Sequence, residues 1–135
     1  MKDLTLNIQT PKETFIHEQV LKLQLPGLIG PAGILPNHAP IILELTSGVI
    51  HISKNGASQS YFITPGIAYV KQDLCLILTE QSTSLSDLDA LTLNTELQKY
   101  HQTLVGLDVG YEYRLIERQI NIIRAMLDAL KAQKL

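Results

Sequence analysis

The chain has no tryptophan, one cysteine and few aromatic residues, so aliphatic side chains must fill its core. Its formal charge of −2 gives no overall field that would recruit nucleic acid or an acidic membrane. A single cysteine excludes a disulfide within the chain, which is typical of a reducing compartment. Because Cys75 lies in the apolar run LCLIL, we expect a buried, inert thiol.

Long hydrophobic runs are also missing, since none approaches the ~20 residues that a membrane-spanning helix needs. The N-terminal stretch MKDLTLNIQTP alternates apolar and polar residues and has neither the apolar centre of a secretory signal nor the composition of a transit peptide. We therefore expect a soluble chain that can still belong to a membrane complex.

The first 84 residues carry the period of two that predicts β-strands. LTLNI and VLKLQL alternate apolar with polar residues, which buries one face of a strand and exposes the other. Further short runs follow, separated by turn signals such as Asn55-Gly56, whose residues tolerate positive φ at both turn positions, and Pro65-Gly66. Many short strands at close spacing predict a β-sandwich of antiparallel strands over residues 1–84.

From about residue 84 the apolar period lengthens to that of a helix. Ser84 or Ser86 is the predicted cap of the first helix, and apolar residues recur along one face at Leu93, Leu97, Tyr100 and Leu104. A second helix is predicted from about Tyr111, with its stripe at Ile116, Ile120, Ile123, Leu127 and Leu130. Residues 85–135 therefore predict an antiparallel helical hairpin, and the whole chain an α+β fold.

The second helix differs from the rest of the chain in charge. Residues 111–135 carry three arginines and two lysines, including Lys134, against three acidic residues, whereas the rest of the chain is acidic. Such a helix can pack on its own domain or dock on an acidic partner; the alternative is a solvated face with i,i+4 pairs. The candidate basic surface of this helix consists of Arg114, Arg118, Arg124 and Lys131.

The stretch LPGLIGPAGILPNHAPI, residues 25–41, invites several functional interpretations. Its glycines lack the Lys and Ser/Thr of a phosphate loop and the spacing of a dinucleotide fingerprint. His38 has no visible partner to orient it as a base, and the four histidines form no metal-ligand pair. We expect a proline-stiffened apolar surface that docks on another protein, because preorganisation lowers the entropy lost on binding.

These residues also resemble a family. GPAGILPNHAPIILEL, followed by SGVIHI, is similar to the signature region of the epsilon subunit of F-type rotary ATP synthases. TPKETF, FITPGIAYVKQDLCLILTEQS and LSDLDAL resemble its opening, its closing strands and the start of its helical hairpin. The resemblance spans nearly the whole chain.

The resemblance implies a non-catalytic subunit with a stalk domain at residues 1–84 and a regulatory hairpin at residues 85–135. The family's sandwich sits at the foot of the central stalk against the gamma subunit and the c-ring, and couples catalysis in the head to ion-driven rotation of the ring. In bacterial members the hairpin can extend toward the alpha and beta subunits and inhibit ATP hydrolysis. The implied location is peripheral, at the cytoplasmic face of the bacterial plasma membrane or the stromal side in a plastid, with the membrane contacted only through the complex.

The family's site residues carry over onto matching positions. The resemblance assigns the gamma contact to a signature loop formed by Pro36, Asn37, His38, Ala39 and Pro40. It assigns the c-ring contact to a loop formed by Gly30, Pro31, Ala32 and Gly33. This sequence departs from the family at Pro31, where some members carry an acidic residue.

Some bacterial members bind ATP in the hairpin through a [IL]-D-x-x-R-A motif. Here Leu88 and Asp89 match, but Thr92 and Leu93 replace the Arg and Ala, so we expect weak or no ATP binding and no other cofactor or metal. Two alternatives from other classes remain: a free-standing β-sandwich that binds another protein through residues 27–40, and a small hydrolase that uses His38. No contact with nucleic acid is expected.

Overall fold

The computed structural model describes residues 3–133 and separates two compact units between Ser84 and Leu85. The first unit contains only strands and the second only helices, so the predicted sandwich followed by a helical hairpin is confirmed. The strands are β1 Leu4–Gln9, β2 Thr14–Val20, β3 Lys22–Leu25, β4 Ala32–Ile34, β5 His38–Leu45, β6 Gly48–Lys54, β7 Ala57–Ile63, β8 Gly66–Gln72, β9 Leu74–Thr79 and β10 Ser82–Ser84.

The strands form two five-stranded sheets. The first sheet has the order β2-β1-β9-β8-β5, and the second has the order β10-β7-β6-β3-β4. Neighbours pair antiparallel as predicted, except β1 and β9, which run parallel. The parallel pair is possible because the strands between β1 and β9 form the long connection that such a pair requires. Alternation within a strand cannot reveal its direction relative to a neighbour.

The core lies between the two sheets and is aliphatic, as the composition predicts. Leu4, Leu6 and Ile8 of β1 are fully buried, which confirms the alternation of LTLNI. Cys75 of β9 is fully buried beside them, and burial raises the pKa of its thiol to about 12. The predicted burial of the thiol is therefore confirmed, and a thiol that stays protonated is a poor nucleophile.

The Asn55-Gly56 turn joins β6 to β7 as predicted, with Lys54 paired to Ala57. Only Gly56 has a positive φ, of 71°, whereas Asn55 is not among the residues with positive φ. The predicted hairpin is therefore confirmed, and it uses positive φ at one of the two turn positions that tolerate it. The glycine alone provides the conformation that a side chain would disfavour.

The second unit begins with a 3-10 helix at Leu85–Asp87, followed by α1 Ala90–Val105 and α2 Tyr111–Gln133. The predicted caps at Ser84 and Ser86 were wrong, because Ser84 ends β10 and Ser86 lies inside the 3-10 helix. Asp89 caps α1: its backbone is extended and its carboxylate accepts a hydrogen bond from the Thr92 amide at 3.3 Å.

The predicted apolar stripes of both helices are buried or half-buried, which confirms their faces. The structure adds Ile122 and Met126, which are also buried although neither lies on the predicted stripe of α2. At 100° per residue, the buried arc of α2 from Ile120 to Ile122 spans roughly 160°. A single stripe therefore underestimates how much of this helix is covered.

Candidate functional site: docking surfaces of the sandwich and the hairpin

The stretch that the sequence singled out begins with a tight turn. The Gly30 amide donates a hydrogen bond to the Gly27 carbonyl oxygen at 3.1 Å, which makes residues 27–30 a β-turn with Leu28 and Ile29 at its centre. Gly30 has a φ of +149°, a value essentially restricted to glycine. A Cβ on Gly27 would lie 2.5 Å from the Gly30 carbonyl oxygen, so this turn requires both glycines.

The four predicted ring-contact residues do not form one loop, which corrects the sequence prediction. Gly30 ends the turn and Pro31 follows it, but Ala32 and Gly33 belong to β4, where Gly33 pairs with Gln24 of β3. β4 is the edge strand of the second sheet. Local glycine and proline signals concealed the strand, because three residues are too few to display alternation.

The signature residues are likewise divided between a turn and a strand. Pro36 and Asn37 form the turn, with Asn37 at a φ of 63° and its amide donating to the Asp73 carboxylate at 2.7 Å. His38, Ala39 and Pro40 begin β5, whose register shifts between His38 and Ile41. The prediction that all five residues form a loop was therefore wrong for the last three.

The His38 ring is held by backbone. Its Nδ1 lies 2.7 Å from the Ala39 carbonyl oxygen, which can only accept a hydrogen bond, so Nδ1 donates in this contact. This is the structural hydrogen bond that a lone histidine commonly makes. Among residues 3–133, the hydrogen bond that holds the His38 ring goes to this backbone carbonyl and not to a carboxylate that could orient a catalytic base.

The first sheet carries an apolar surface that the sequence analysis missed. On its outer face Ile42 of β5 lies opposite Tyr69 of β8, which lies opposite Leu76 of β9. Ile67 of β8 and Leu78 of β9 form a second such pair, and Leu74 continues the surface. We call these six residues the outer apolar face: Ile42, Ile67, Tyr69, Leu74, Leu76 and Leu78.

The outer apolar face is open to solvent. Ile42 is 68% exposed, and Ile67 and Leu78 are each 48% exposed. A contiguous exposed apolar surface of this kind marks a site of protein association. Its signal was present in the sequence, because LCLIL is apolar at every position and such runs are typical of strands covered on both faces.

A groove of about 440 Å³ extends the outer apolar face at one end. Ile67 and Leu78 form part of its wall, together with Pro11 and Pro65. Pro11 lies in TPKETF, one of the segments that resembles the family. The groove is a place where a side chain of a docked partner can enter beyond the flat sheet surface.

The four basic residues predicted on the last helix are all exposed. Arg114, Arg118, Arg124 and Lys131 spread over an arc of roughly 140° around α2 that begins beside the apolar stripe, with Lys131 and Arg124 nearest to Ile120. Arg124 Nη2 lies 3.3 Å from His101 Nε2 of α1, and Asp128 lines the same groove as Arg124 and Lys131. Lys134, which contributes to the predicted basic surplus, lies outside the described residues.

Asp89, the predicted remnant of an ATP motif, is committed to the helix start. Its carboxylate accepts from the Thr92 hydroxyl at 2.7 Å and from the Thr92 amide, and these hydrogen bonds hold the pKa of Asp89 below its ordinary value of 3.8. This arrangement gives Asp89 a structural role. Thr92 stands at the fifth position of the motif, where ATP-binding members carry arginine.

Residues 3–133 contain no group of three His, Cys, Asp or Glu side chains arranged to hold a metal ion. None of the described helices has both the length and the apolar character needed to cross a membrane.

The known proteins that this chain resembles include subunits of ATP synthases. A family profile described as "ATP synthase, Delta/Epsilon chain, beta-sandwich domain" matches residues 3–84. The ATP synthase epsilon chain of Rhodopseudomonas palustris strain BisA53 is 27% identical over 118 residues, which are 87% of this chain and 87% of that protein. The mitochondrial ATP synthase F(1) complex subunit delta of Dictyostelium discoideum is 36% identical over 102 residues, which are 73% of this chain and 60% of that protein.

A solved structure also resembles this chain. It is a chain of the Euglena gracilis mitochondrial ATP synthase, OSCP/F1/c-ring in rotational state 1. The TM-score is 0.76 at 20% identity, and the match covers 98% of this chain and 82% of that chain. At this identity the similarity shows the fold, which includes both the sandwich and the hairpin.

Proposed function

Because the chain belongs to the delta/epsilon family of ATP synthase subunits, we propose that it is a non-catalytic subunit of the central stalk of a rotary ATP synthase. In this role it performs no chemistry of its own. It links the catalytic head to the ion-driven ring at the cytoplasmic face of a bacterial plasma membrane, or at the stromal side in a plastid. The outer apolar face of the sandwich is the observation that carries this proposal.

The outer apolar face is the docking surface for the gamma subunit. Six apolar side chains on three adjacent strands lose contact with water if a partner covers them. Each fully buried aliphatic side chain of this size contributes about 1.5–3 kcal/mol, so a few of them support a stable interface. His38 and Pro40 lie in β5, an edge strand of the first sheet that also carries Ile42, and this supports a gamma contact by the signature residues.

The turn and edge strand at residues 27–33 form the contact with the c-ring. This region lies on the second sheet, whereas the outer apolar face belongs to the first sheet. One small domain can therefore hold gamma and the ring through separate surfaces. Its aliphatic interior and two hydrogen-bonded sheets make the sandwich suitable for transmitting torque without deforming.

The hairpin is the regulatory element. Exposed Arg114 and Arg118 of α2 can meet acidic loops of the beta or alpha subunits when the hairpin is extended, and this contact inhibits ATP hydrolysis. ATP binding by the hairpin is weak or absent, because the motif lacks its arginine and Asp89 caps α1. No other cofactor and no metal is required.

Reconstitution tests the assembly part of this proposal. The full chain should co-purify in stoichiometric amount with gamma and with a ring-containing complex from which the native subunit has been removed. A chain that stays a stable monomer in the presence of both would overturn the proposal and favour a free-standing binding module. Hydrolytic activity of the isolated chain that is lost in His38→Ala would instead support the hydrolase alternative.

An ATPase assay tests the regulatory part. A complex that carries residues 1–84 alone should remain assembled but hydrolyse ATP faster than the complex with the full chain. A second variant replaces Arg114 and Arg118 with glutamine in the full chain. It removes the two charges, keeps the hairpin and should also hydrolyse ATP faster. Unchanged hydrolysis in both variants contradicts an inhibitory hairpin while leaving the stalk role intact.

A further inference from the structure

A cavity of about 250 Å³ lies on the outer face of the second sheet. Leu23 of β3 and Ile52 of β6 are opposite each other and buried in the core, so their neighbours in each strand point outward. Those neighbours, which all line the cavity, are Lys22, Gln24, His51 and Ser53. The cavity therefore lies across β3 and β6, two strands to which the proposed function gives no role.

A glycine leaves the cavity open. Gly33 of β4 lies opposite Gln24 of β3, and a Cβ built on Gly33 would meet no atom within 4 Å. The missing side chain leaves space beside Gln24, and Pro31 forms part of the surrounding wall. Sites for drug-sized ligands measure roughly 300–1,000 Å³, so this cavity suits a smaller group.

The polar side chains around the cavity can all donate hydrogen bonds. Lys22 carries an ammonium group, Gln24 an amide and Ser53 a hydroxyl. His51 Nδ1 lies 3.2 Å from the Ser60 hydroxyl oxygen, which leaves Nε2 as the ring nitrogen available to a ligand. Among the described residues that line the cavity, none is Asp or Glu. A lining that is rich in donors and lacks carboxylates favours an anionic ligand.

The lack of carboxylates extends over the whole second sheet. Its five described strands contain neither Asp nor Glu, although the chain as a whole has 13 acidic residues against 11 lysines and arginines. Lys22 is exposed and forms no ion pair within residues 3–133. An anion in the cavity would therefore meet an uncompensated ammonium group and no like charge from these strands.

We propose that this cavity binds a small tetrahedral oxyanion, a phosphate group, through Lys22, Gln24 and His51. The ammonium supplies positive charge, and all three side chains supply hydrogen bonds, which are stronger to an ionised acceptor than to a neutral one. Three donor groups on two strands match a ligand with several acceptor oxygens. The phosphate group can come from the free ion or from a lipid headgroup. The site does not depend on the proposed function, because it lies on the other sheet from the outer apolar face.

Titration of the full chain with sodium phosphate at constant ionic strength, followed through its backbone amide NMR signals, tests the site. The signals of residues 22–24, 33 and 51–53 should shift and saturate. Lys22→Met should weaken the affinity roughly tenfold or more, the effect expected for losing one charge-assisted hydrogen bond. Gly33→Val should weaken it as well, because the new side chain occupies the open space beside Gln24.

The matched control is Lys71→Met in β8, which removes the same charge from the first sheet. It should bind phosphate like the original chain, and Lys22→Arg, which keeps a cation, should bind within about threefold of it. All of the substituted residues are exposed, so the variants should unfold at the denaturant midpoint of the original chain. Equal weakening by Lys22→Met and Lys71→Met, or shifts that do not saturate, would overturn the site, because both outcomes indicate attraction by net charge alone.

Vesicle flotation distinguishes the two sources of the phosphate group. Phosphatidic acid presents a phosphate monoester on a lipid, and phosphatidylcholine vesicles without it are the control. Flotation with phosphatidic acid that Lys22→Met abolishes and Lys71→Met preserves would identify the lipid headgroup. Saturation by free phosphate without flotation would identify the free ion. Absence of both would overturn the site, and since neither measurement contains a partner subunit, that result is distinct from a failure of the proposed function.

Discussion

The two sheets of the sandwich share one aliphatic interior but present different outer faces. The outer face of the first sheet carries Ile42, Ile67 and Tyr69 with their neighbours on β9. Across β3, β6 and β7 of the second sheet, Gln24 lies opposite His51, His51 opposite Ser60, and Ser53 opposite Ser58. The second arrangement is the usual one for a sheet that faces water.

The difference between the two outer faces separates the side chains that the fold requires from those that are available for binding. The sandwich needs only the inward side chains for its core, so outward apolar residues on the first sheet do not serve the interior. The polar outer side chains of the second sheet show that the same domain tolerates a solvated face. The outer apolar face is the surface that we propose for gamma, so substitutions on the two sheets should have different consequences.

The largest effect on the free energy of unfolding is expected when alanine replaces a glycine of the first sheet. The same replacement in the second sheet should have a small effect. A Cβ on Gly66 of β8 would overlap the Leu78 carbonyl oxygen of β9, so Gly66→Ala must push two paired strands apart. We expect a loss of about 3–4 kcal/mol in the free energy of unfolding. Urea denaturation measures it.

Gly33→Ala in β4 is the control, because a Cβ there meets no atom within 4 Å and the glycine has no positive φ. It should change the free energy of unfolding by less than about 1 kcal/mol. Comparable losses in both variants would show that close strand approach does not distinguish the two sites.

A smaller effect is expected when charge is placed on one outer face at a time. Ile67→Glu puts a carboxylate into the outer apolar face, which must be desolvated if gamma covers it. Binding to gamma should weaken at least a hundredfold, or by about 2.7 kcal/mol. Ser58→Glu on the outer face of the second sheet should leave binding unchanged, and equal weakening by both variants would reject the first sheet as the gamma surface.

The buried thiol of the first sheet predicts a dependence of stability on alkaline pH. The pKa of Cys75 is about 12 in the folded chain against an ordinary value of 9.0, so above pH 9 the unfolded chain loses a proton that the folded chain keeps. The free energy of unfolding should then fall as pH rises, by up to about 1.4 kcal/mol per pH unit.

Denaturation of the original chain and of Cys75→Ala between pH 8 and pH 10.5 isolates this contribution, because lysines and tyrosines titrate in both. The original chain should lose stability more steeply with increasing pH. Parallel pH profiles for the two chains would contradict the assignment.

The smallest effect concerns the ion pair that joins the two sheets. Lys54 Nζ of β6 lies 2.6 Å from Glu18 Oε2 of β2, and the side chains are 27% and 29% exposed. Glu18 Oε1 is buried and has no hydrogen-bond partner among the described residues, so desolvation opposes the attraction. A double-mutant cycle with Glu18→Gln and Lys54→Met should give a coupling of about 1 kcal/mol or less, and a coupling several times larger would show that this pair holds the sandwich closed.

Particular residues show how far the sequence alone could predict the fold and the candidate site. The burial of Leu4, Leu6 and Ile8 followed from their alternation, and the apolar faces of both helices followed from their period. The cap of α1 was predicted at the wrong residue because Ser84, Ser86 and Asp89 are all good capping residues. The structure decides between them, because the 3-10 helix at Leu85–Asp87 occupies the residues after Ser84 and the regular helix begins only after Asp89.

The docking surfaces were less predictable. Gly30–Gly33 and the signature residues were assigned through the resemblance to the family, but the division of each set between a turn and a strand was not visible in the sequence. Ile42, Ile67 and Leu78 lie in three strands, and nothing local indicates that they adjoin. The exposed tip at Leu28 and Ile29 was recognised only as an apolar part of a longer loop.

The sequence by itself determined which side chains point into the sandwich, because the period of a strand is a property of the local backbone. It also determined that a helical hairpin follows, through the change of period near residue 84. Only the tertiary structure decided that Ile42, Tyr69 and Leu76 form one row, since that row depends on the register of β5, β8 and β9. Register is fixed by pairing between distant segments, so a surface built across strands appears only when the sheet is assembled.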